Sequence, residues 1–228
     1  MRHLLSFFLL AASGVLMGCV KCESSPVGIP KASCNNTQLN YCLTTYYARA
    51  GLNGPFANAN AFANAVRGAL FTMKANFFKI CQADRYLLDC LGAVSYGQCL
   101  NAINLIASGQ SPASAYEYQA LVAQFRFMCG AGYYSYLRNY DCFRHVYLTK
   151  RSMLETCSAA FQQQASANPS MTCQLLSPLA ACWQAPFAAG CSAELGWTIC
   201  EETRLGVVNG QWATADLCNY RCPVVGSS

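Results

Sequence analysis

Thiols are the side chains with the most chemistry to offer in this chain, which carries 16 Cys against 2 His. Cysteines can bond one another, ligate a metal or act as nucleophiles, and their spacing separates the three. CQADRYLLDCLGAVSYGQC, residues 81–99, sets Cys81, Cys90 and Cys99 nine residues apart. CQLLSPLAACWQAPFAAGC, residues 173–191, repeats the interval with Cys173, Cys182 and Cys191 and adds a further step to Cys200. Zinc sites use close pairs such as C-x-x-C, and the one such pair, Cys19 and Cys22, falls in the apolar N-terminus. A thiol nucleophile needs a base, and His145 is the one His beyond that N-terminus. Disulfide formation is the chemistry that remains. Its candidates are Cys34, Cys42, Cys81, Cys90, Cys99, Cys129, Cys142, Cys157, Cys173, Cys182, Cys191, Cys200, Cys218 and Cys222, an even set.

The N-terminus, MRHLLSFFLLAASGVLMG, follows basic Arg2 with an apolar run broken only by small residues, the layout of a secretory signal peptide. Residues 1–22 are read as that signal, with Val20 and Cys22 filling the small-residue positions before the cut. Cuts after Ser13 or Gly14 leave a short signal, and LMGC at 16–19 also has the form of a bacterial lipoprotein box. Thiols at this density belong to an oxidising compartment, so the expected location is secreted and extracellular. Losing Arg2 and Lys21 takes the basic residues from 15 to 13 against 10 acidic ones, a net charge of about +3. That is too mild to argue for nucleic acid. No later stretch approaches about 18 uninterrupted apolar residues, so no membrane span is expected, and the closing VVGSS carries no anchor tail.

The elements that must position the cysteines read as helices. After a Pro- and Ser-containing flexible leader at 23–33, Leu39, Leu43, Tyr46, Tyr47 and Ala50 recur at helical spacing, and GLNGPFANAN interrupts them. Phe62, Val66, Leu70, Met73, Phe77 and Ile80 predict one continuous helical face. Ser111-Pro112 has the form of a helix start, with Ser as cap and Pro in the first turn, leading through YEYQALVAQFRFMC to an interruption at Gly130 and Gly132. Ser177-Pro178 repeats that start. Alternation with period two is scarce, so the expected fold is mostly α, a disulfide-stapled helical bundle.

Nine residues on a straight helix rotate a side chain by about half a revolution, so three cysteines at that interval cannot line one face. Turns at Gly92, Gly97 and Pro186 are expected to bend each run so that every Cys ties a helix end to a neighbour. The recurrence suggests two related units, 34–148 and a diverged 149–222, with a tail at 223–228. Each then holds seven cysteines, and full oxidation requires an odd number of bridges between them.

CQADRYLLDC (81–90), FRFMC (125–129) and YDC (140–142), with CQLLSPLAAC and ADLC as a fainter second pass, resemble the secreted cysteine-rich helical domain of nematode proteins, the type named after chondroitin proteoglycan 4. The resemblance implies an extracellular protein without enzymatic activity, some members carrying chondroitin chains. The expected role is structural, in extracellular matrix, eggshell or cuticle, or that of a secreted interaction module. Glycosaminoglycan chains start at Ser-Gly, and beyond the signal one such pair exists, Ser108-Gly109, without acidic neighbours in IASGQSP. Asn35-Asn36-Thr37 is an N-glycosylation sequon, while Asn168-Pro169-Ser170 is excluded by its proline.

An enzyme reading has little to use. Secreted phospholipases A2 place a Cys three residues before a catalytic His and an acid directly after it. Cys142 and His145 share the spacing, but Val146 stands where the calcium-binding acid belongs. Arg138, Arg144, His145, Lys150 and Arg151 form the one basic concentration, read as a solvated face beside Asp141 and Glu155. No catalytic, cofactor or metal residue is therefore expected. The partner is expected to be an extracellular protein or glycan, and the rival function is a carrier of a small apolar ligand in a helical cavity.

Overall fold

Helical periodicity accounts for most of the chain. The computed structural model describes residues 34–210 and 218–223. Among them are ten α-helices and no strand. They are α1 (Asn36–Ala50), α2 (Ala59–Leu70), α3 (Lys74–Leu91), α4 (Ala93–Cys99), α5 (Ala102–Ala107), α6 (Pro112–Cys129), α7 (Tyr133–Arg138), α8 (Tyr140–Ala167), α9 (Thr172–Gly190) and α10 (Ala193–Gly210), with a 3-10 turn, Pro169–Met171, before α9. The expected signal peptide and leader, and residues 224–228 of the expected tail, lie outside the described residues.

Local chemistry sets several boundaries. Asn35 caps α1 and Gly51, at φ 70°, ends it in the left-handed region that glycine adopts without strain. Ser111 Oγ accepts from Ser114 N at 3.3 Å with Pro112 in the first turn, so α6 begins where the sequence places it. The face read as continuous from Phe62 to Ile80 is instead divided between α2 and α3. Met73 is extended and 53% exposed between them. Leu70 and Phe77 are seven residues apart, about two helical turns, so the break keeps the apolar register and leaves no trace in it. The turn is held from outside: the Tyr140 hydroxyl donates to the Leu70 carbonyl, and Arg144 Nε donates to the Phe71 carbonyl at 2.6 Å. A cation at a helix C-terminus also complements its dipole.

Two expected breaks are absent. α9 starts at Thr172, not at Ser177-Pro178, and runs through both Pro178 and Pro186. Interior prolines forfeit backbone hydrogen bonds, but α9 buries Leu175, Leu176, Leu179, Ala180 and Phe187 and is tied by bridges near both ends and at its middle. Gly97 lies inside α4 and bends nothing. Gly92, at φ 75°, does end α3.

α1 packs on α3, α2 on α3 and α6, α8 on α9, α9 on α10, and α10 on α6. The larger apolar core is aromatic: Tyr46, Tyr47, Phe62, Phe77, Tyr118, Phe125, Tyr136 and Phe143 are buried in it. A smaller one gathers Phe161, Leu175, Leu176, Leu179, Ala180 and Val207. These residues belong to one compact unit.

Seven bridges tie the helices, and their order answers why the interval recurs. Cys34–Cys99 encloses Cys42–Cys90, while Cys81 reaches forward to Cys129. Cys142–Cys191 encloses Cys157–Cys182, while Cys173 reaches forward to Cys218. Six cysteines can pair in about fifteen ways, and both segments use the same one. The last bridge, Cys200–Cys222, has no counterpart in the first segment.

The boundary expected at 148/149 falls inside α8, which continues unbroken from Tyr140 to Ala167. One bridge, Cys142–Cys191, crosses it, an odd number as the arithmetic required. A division placed ahead of α8 is crossed by none, and closes each segment's cysteines among themselves. Across that division the contacts are noncovalent. Gln119 Nε2 donates to the Asn209 carbonyl at 3.0 Å, and Cβ atoms built on Gly206 and Gly210 would lie 2.4 Å and 2.8 Å from Gln124 and Ala120 of α6.

Candidate functional site

The first segment encloses a pocket lined by Tyr46 and Tyr47 of α1, Phe62 of α2, Asp84 of α3, Tyr96 of α4, and Tyr118 and Phe125 of α6. Phe62 stacks on Tyr118 with ring centroids 5.3 Å apart and meets Phe125 edge-on at 5.6 Å. Into this apolar surround come the Tyr47 and Tyr118 hydroxyls, 3.3 Å from each other, and the Asp84 carboxylate, which accepts from the Tyr96 hydroxyl at 3.4 Å. Arg126 lies over the outer side of this group, its guanidinium carbon 4.7 Å from the Tyr96 ring centroid. Burial pushes the Asp84 carboxyl above the ordinary carboxylate range, with Arg126 and the Tyr96 hydrogen bond pulling the other way. Burial likewise raises Tyr46, Tyr96 and Tyr118, so these phenols stay protonated. The pocket holds about 20 Å³, enough for one water.

A second polar group lies between α7 and α10. Thr198 Oγ1 donates to Ser135 Oγ at 2.9 Å, both residues buried, and the fully buried Tyr136 donates its hydroxyl to Glu202. Burial raises the Glu202 carboxyl to about 7, with Arg67 opposing. Sequence reasoning passed over both carboxylates, although the signal was present. Asp84 falls in the apolar stripe Ile80, Leu87, Leu91, and Glu202 in the stripe Leu195, Ile199, Gly206, each at helical spacing.

The singled-out residues lie apart from these groups. His145 is exposed on α8, and Cys142, one turn before it, is bonded to Cys191, leaving no thiolate for it to activate. The basic concentration is largely engaged: Arg138 pairs with Glu194 at 2.5 Å, Arg151 with Glu155 at 2.7 Å, and Arg144 holds the α2 terminus. No group of three His, Cys, Asp or Glu side chains among the described residues is placed to hold a metal ion. No helix among them is long and apolar enough to cross a membrane. Ser108 is exposed at the end of α5, its hydroxyl donating to the Leu105 carbonyl at 2.9 Å. Asn35 is exposed at the start of α1.

An all-helical, disulfide-stapled, cysteine-rich protein is the class that this geometry defines. Comparison of the chain with family models, curated proteins and solved structures finds no match.

Proposed function

We propose that the protein is secreted and non-catalytic, with a structural or interaction role outside the cell, in matrix, eggshell or cuticle, as its resemblance to the nematode chondroitin proteoglycan 4 type suggests. The observation that carries this reading is the pairing of every cysteine from Cys34 to Cys222. A reducing cytosol keeps such thiols open. Without the bridges, α9 with its two interior prolines and the small second core would lose their ties. Cysteines committed to frame building are also withdrawn from nucleophilic and metal chemistry. The carrier reading gains nothing from the Asp84 pocket, which has room for a single water.

Non-reducing intact mass of the protein secreted from animal cells tests this. The expected product begins at Glu23, takes up no alkylating agent until reduced, and then takes up fourteen. A mass that falls on chondroitinase treatment, and no longer does in Ser108→Ala, would make it a proteoglycan core. Retention in the cytosol with free thiols would defeat the proposal.

A further inference from the structure

The sequon asparagine has two chemically separate edges, and the structure uses only one. Asn35 sits outside the helix at φ −79°, ψ 96°, and its Oδ1 accepts from Thr37 N and Gln38 N, each at 3.1 Å. These are two of the donors that a helix N-terminus leaves unsatisfied. The side-chain amide is planar, so turning Oδ1 onto the helix turns Nδ2 away from it. Residues 35–38 are all exposed, which leaves that second edge open to solvent.

We infer that Asn35 is N-glycosylated on Nδ2 while its Oδ1 caps α1, so one residue roots the glycan and starts the helix. The inference rests on the secretory reading above. Transfer joins Nδ2 to the anomeric carbon of a lipid-diphosphate-linked oligosaccharide. The bond from sugar to diphosphate breaks, the diphosphate leaves with the lipid, and Nδ2 gives up one proton. The product is still an amide, with its carbonyl oxygen free to accept, so the sugar and the cap do not compete. Cys34, the neighbouring residue, is bonded to Cys99 at the end of α4. The glycan root is thereby tied, through the residue beside it, to the end of α4. Asn168 is no competitor, because Pro169 stands inside its sequon.

The test uses the full chain secreted from animal cells, with N-glycanase as the probe. Wild type is expected to lose the mass of one N-glycan and to be left with Asp at 35. Thr37→Ala and Asn35→Asp should lack the glycan and keep the cap, melting at the same temperature as each other. Asn35→Ala should lack both and melt about 2–4 °C lower. A secreted, fully oxidised wild type with no glycanase shift overturns the glycan and leaves the secretory reading standing. A chain held in the cytosol with free thiols overturns both. A glycosylated wild type whose Asn35→Ala form is as stable as Thr37→Ala overturns the dual role.

Discussion

Residues 34–129 and 140–222 solve one problem twice, with the same staple order and different fillings. In each, nested bridges hold a helix against the stretch that carries the nine-residue interval, and the first cysteine of the interval reaches forward to close the segment. Where the first has Gly92 and ends α3, the second has Gln184. There the helix continues and Gln184 Nε2 donates to the Pro223 carbonyl at 3.0 Å. Where the first has Asp84 beside a pocket, the second has Leu176 in full burial, and Tyr96 is matched by Ala188. The first segment fills its frame with aromatic rings and phenol hydroxyls. The second places Leu175, Leu176, Leu179 and Ala180 beside Phe143, Phe161 and Phe187, and adds Cys200–Cys222. The bridges therefore set the frame, and the interior is free to diverge within it.

Removing matched inner staples should have the largest effect. Converting Cys42 and Cys90 to Ala should cost about 4 kcal/mol, and converting Cys157 and Cys182 about 3.5 kcal/mol. The ranking follows from closed loops of 48 and 25 residues, and denaturant midpoints of the two variants check it. Equal costs would show that loop entropy does not govern the difference.

Glu202 should make stability depend on pH. Its folded value near 7 lies above its ordinary 4.5, so the folded protein binds the proton more tightly. That contribution is fully present below about pH 4.5 and is lost as pH rises through 7, an effect of roughly 3 kcal/mol. Urea titrations at pH 5 and 8 should show the loss in wild type and a flatter profile in Glu202→Gln.

Two glycines should respond oppositely to alanine. A Cβ at Gly196 would lie 2.5 Å from the Ala188 Cβ and 2.9 Å from its Cα, forcing α9 and α10 apart. Gly196→Ala should therefore lose about 1–3 kcal/mol. Gly97, inside α4, has nothing within 4 Å of that position, so Gly97→Ala should gain about 0.5–1 kcal/mol. Thermal melts of the pair distinguish these signs.

The smallest expected change carries the comparison inward. Asp84→Leu gives the first segment the residue that the second has at the same step, removing a carboxylate disfavoured by its surroundings. Stability at neutral pH should stay level or rise by about 1 kcal/mol. A loss of several kcal/mol would mean that the bonds with Tyr96 and the charge of Arg126 are needed to hold α3 and α4.

Much of this frame was legible in the sequence. Apolar spacing located α1, and Ser111-Pro112 located the start of α6, because cap chemistry and periodicity act over a few residues. The break after Leu70 was hidden because Tyr140 and Arg144, distant in sequence, supply the bonds that hold it. Pro178 misled because tertiary ties override its local preference. Fourteen cysteines admit on the order of 10⁵ pairings, so the connectivity had to come from the folded chain. The fitted contact at Gly196 left no sequence signal, whereas Asp84 and Glu202 were readable as acids in apolar stripes.

Disulfide mapping by mass spectrometry of non-reducing digests tests the repeated staple order most directly. The account predicts peptides joined as Cys34–Cys99, Cys42–Cys90, Cys81–Cys129, Cys142–Cys191, Cys157–Cys182, Cys173–Cys218 and Cys200–Cys222. Any native bridge joining a cysteine of residues 34–129 to one of residues 140–222 would contradict it.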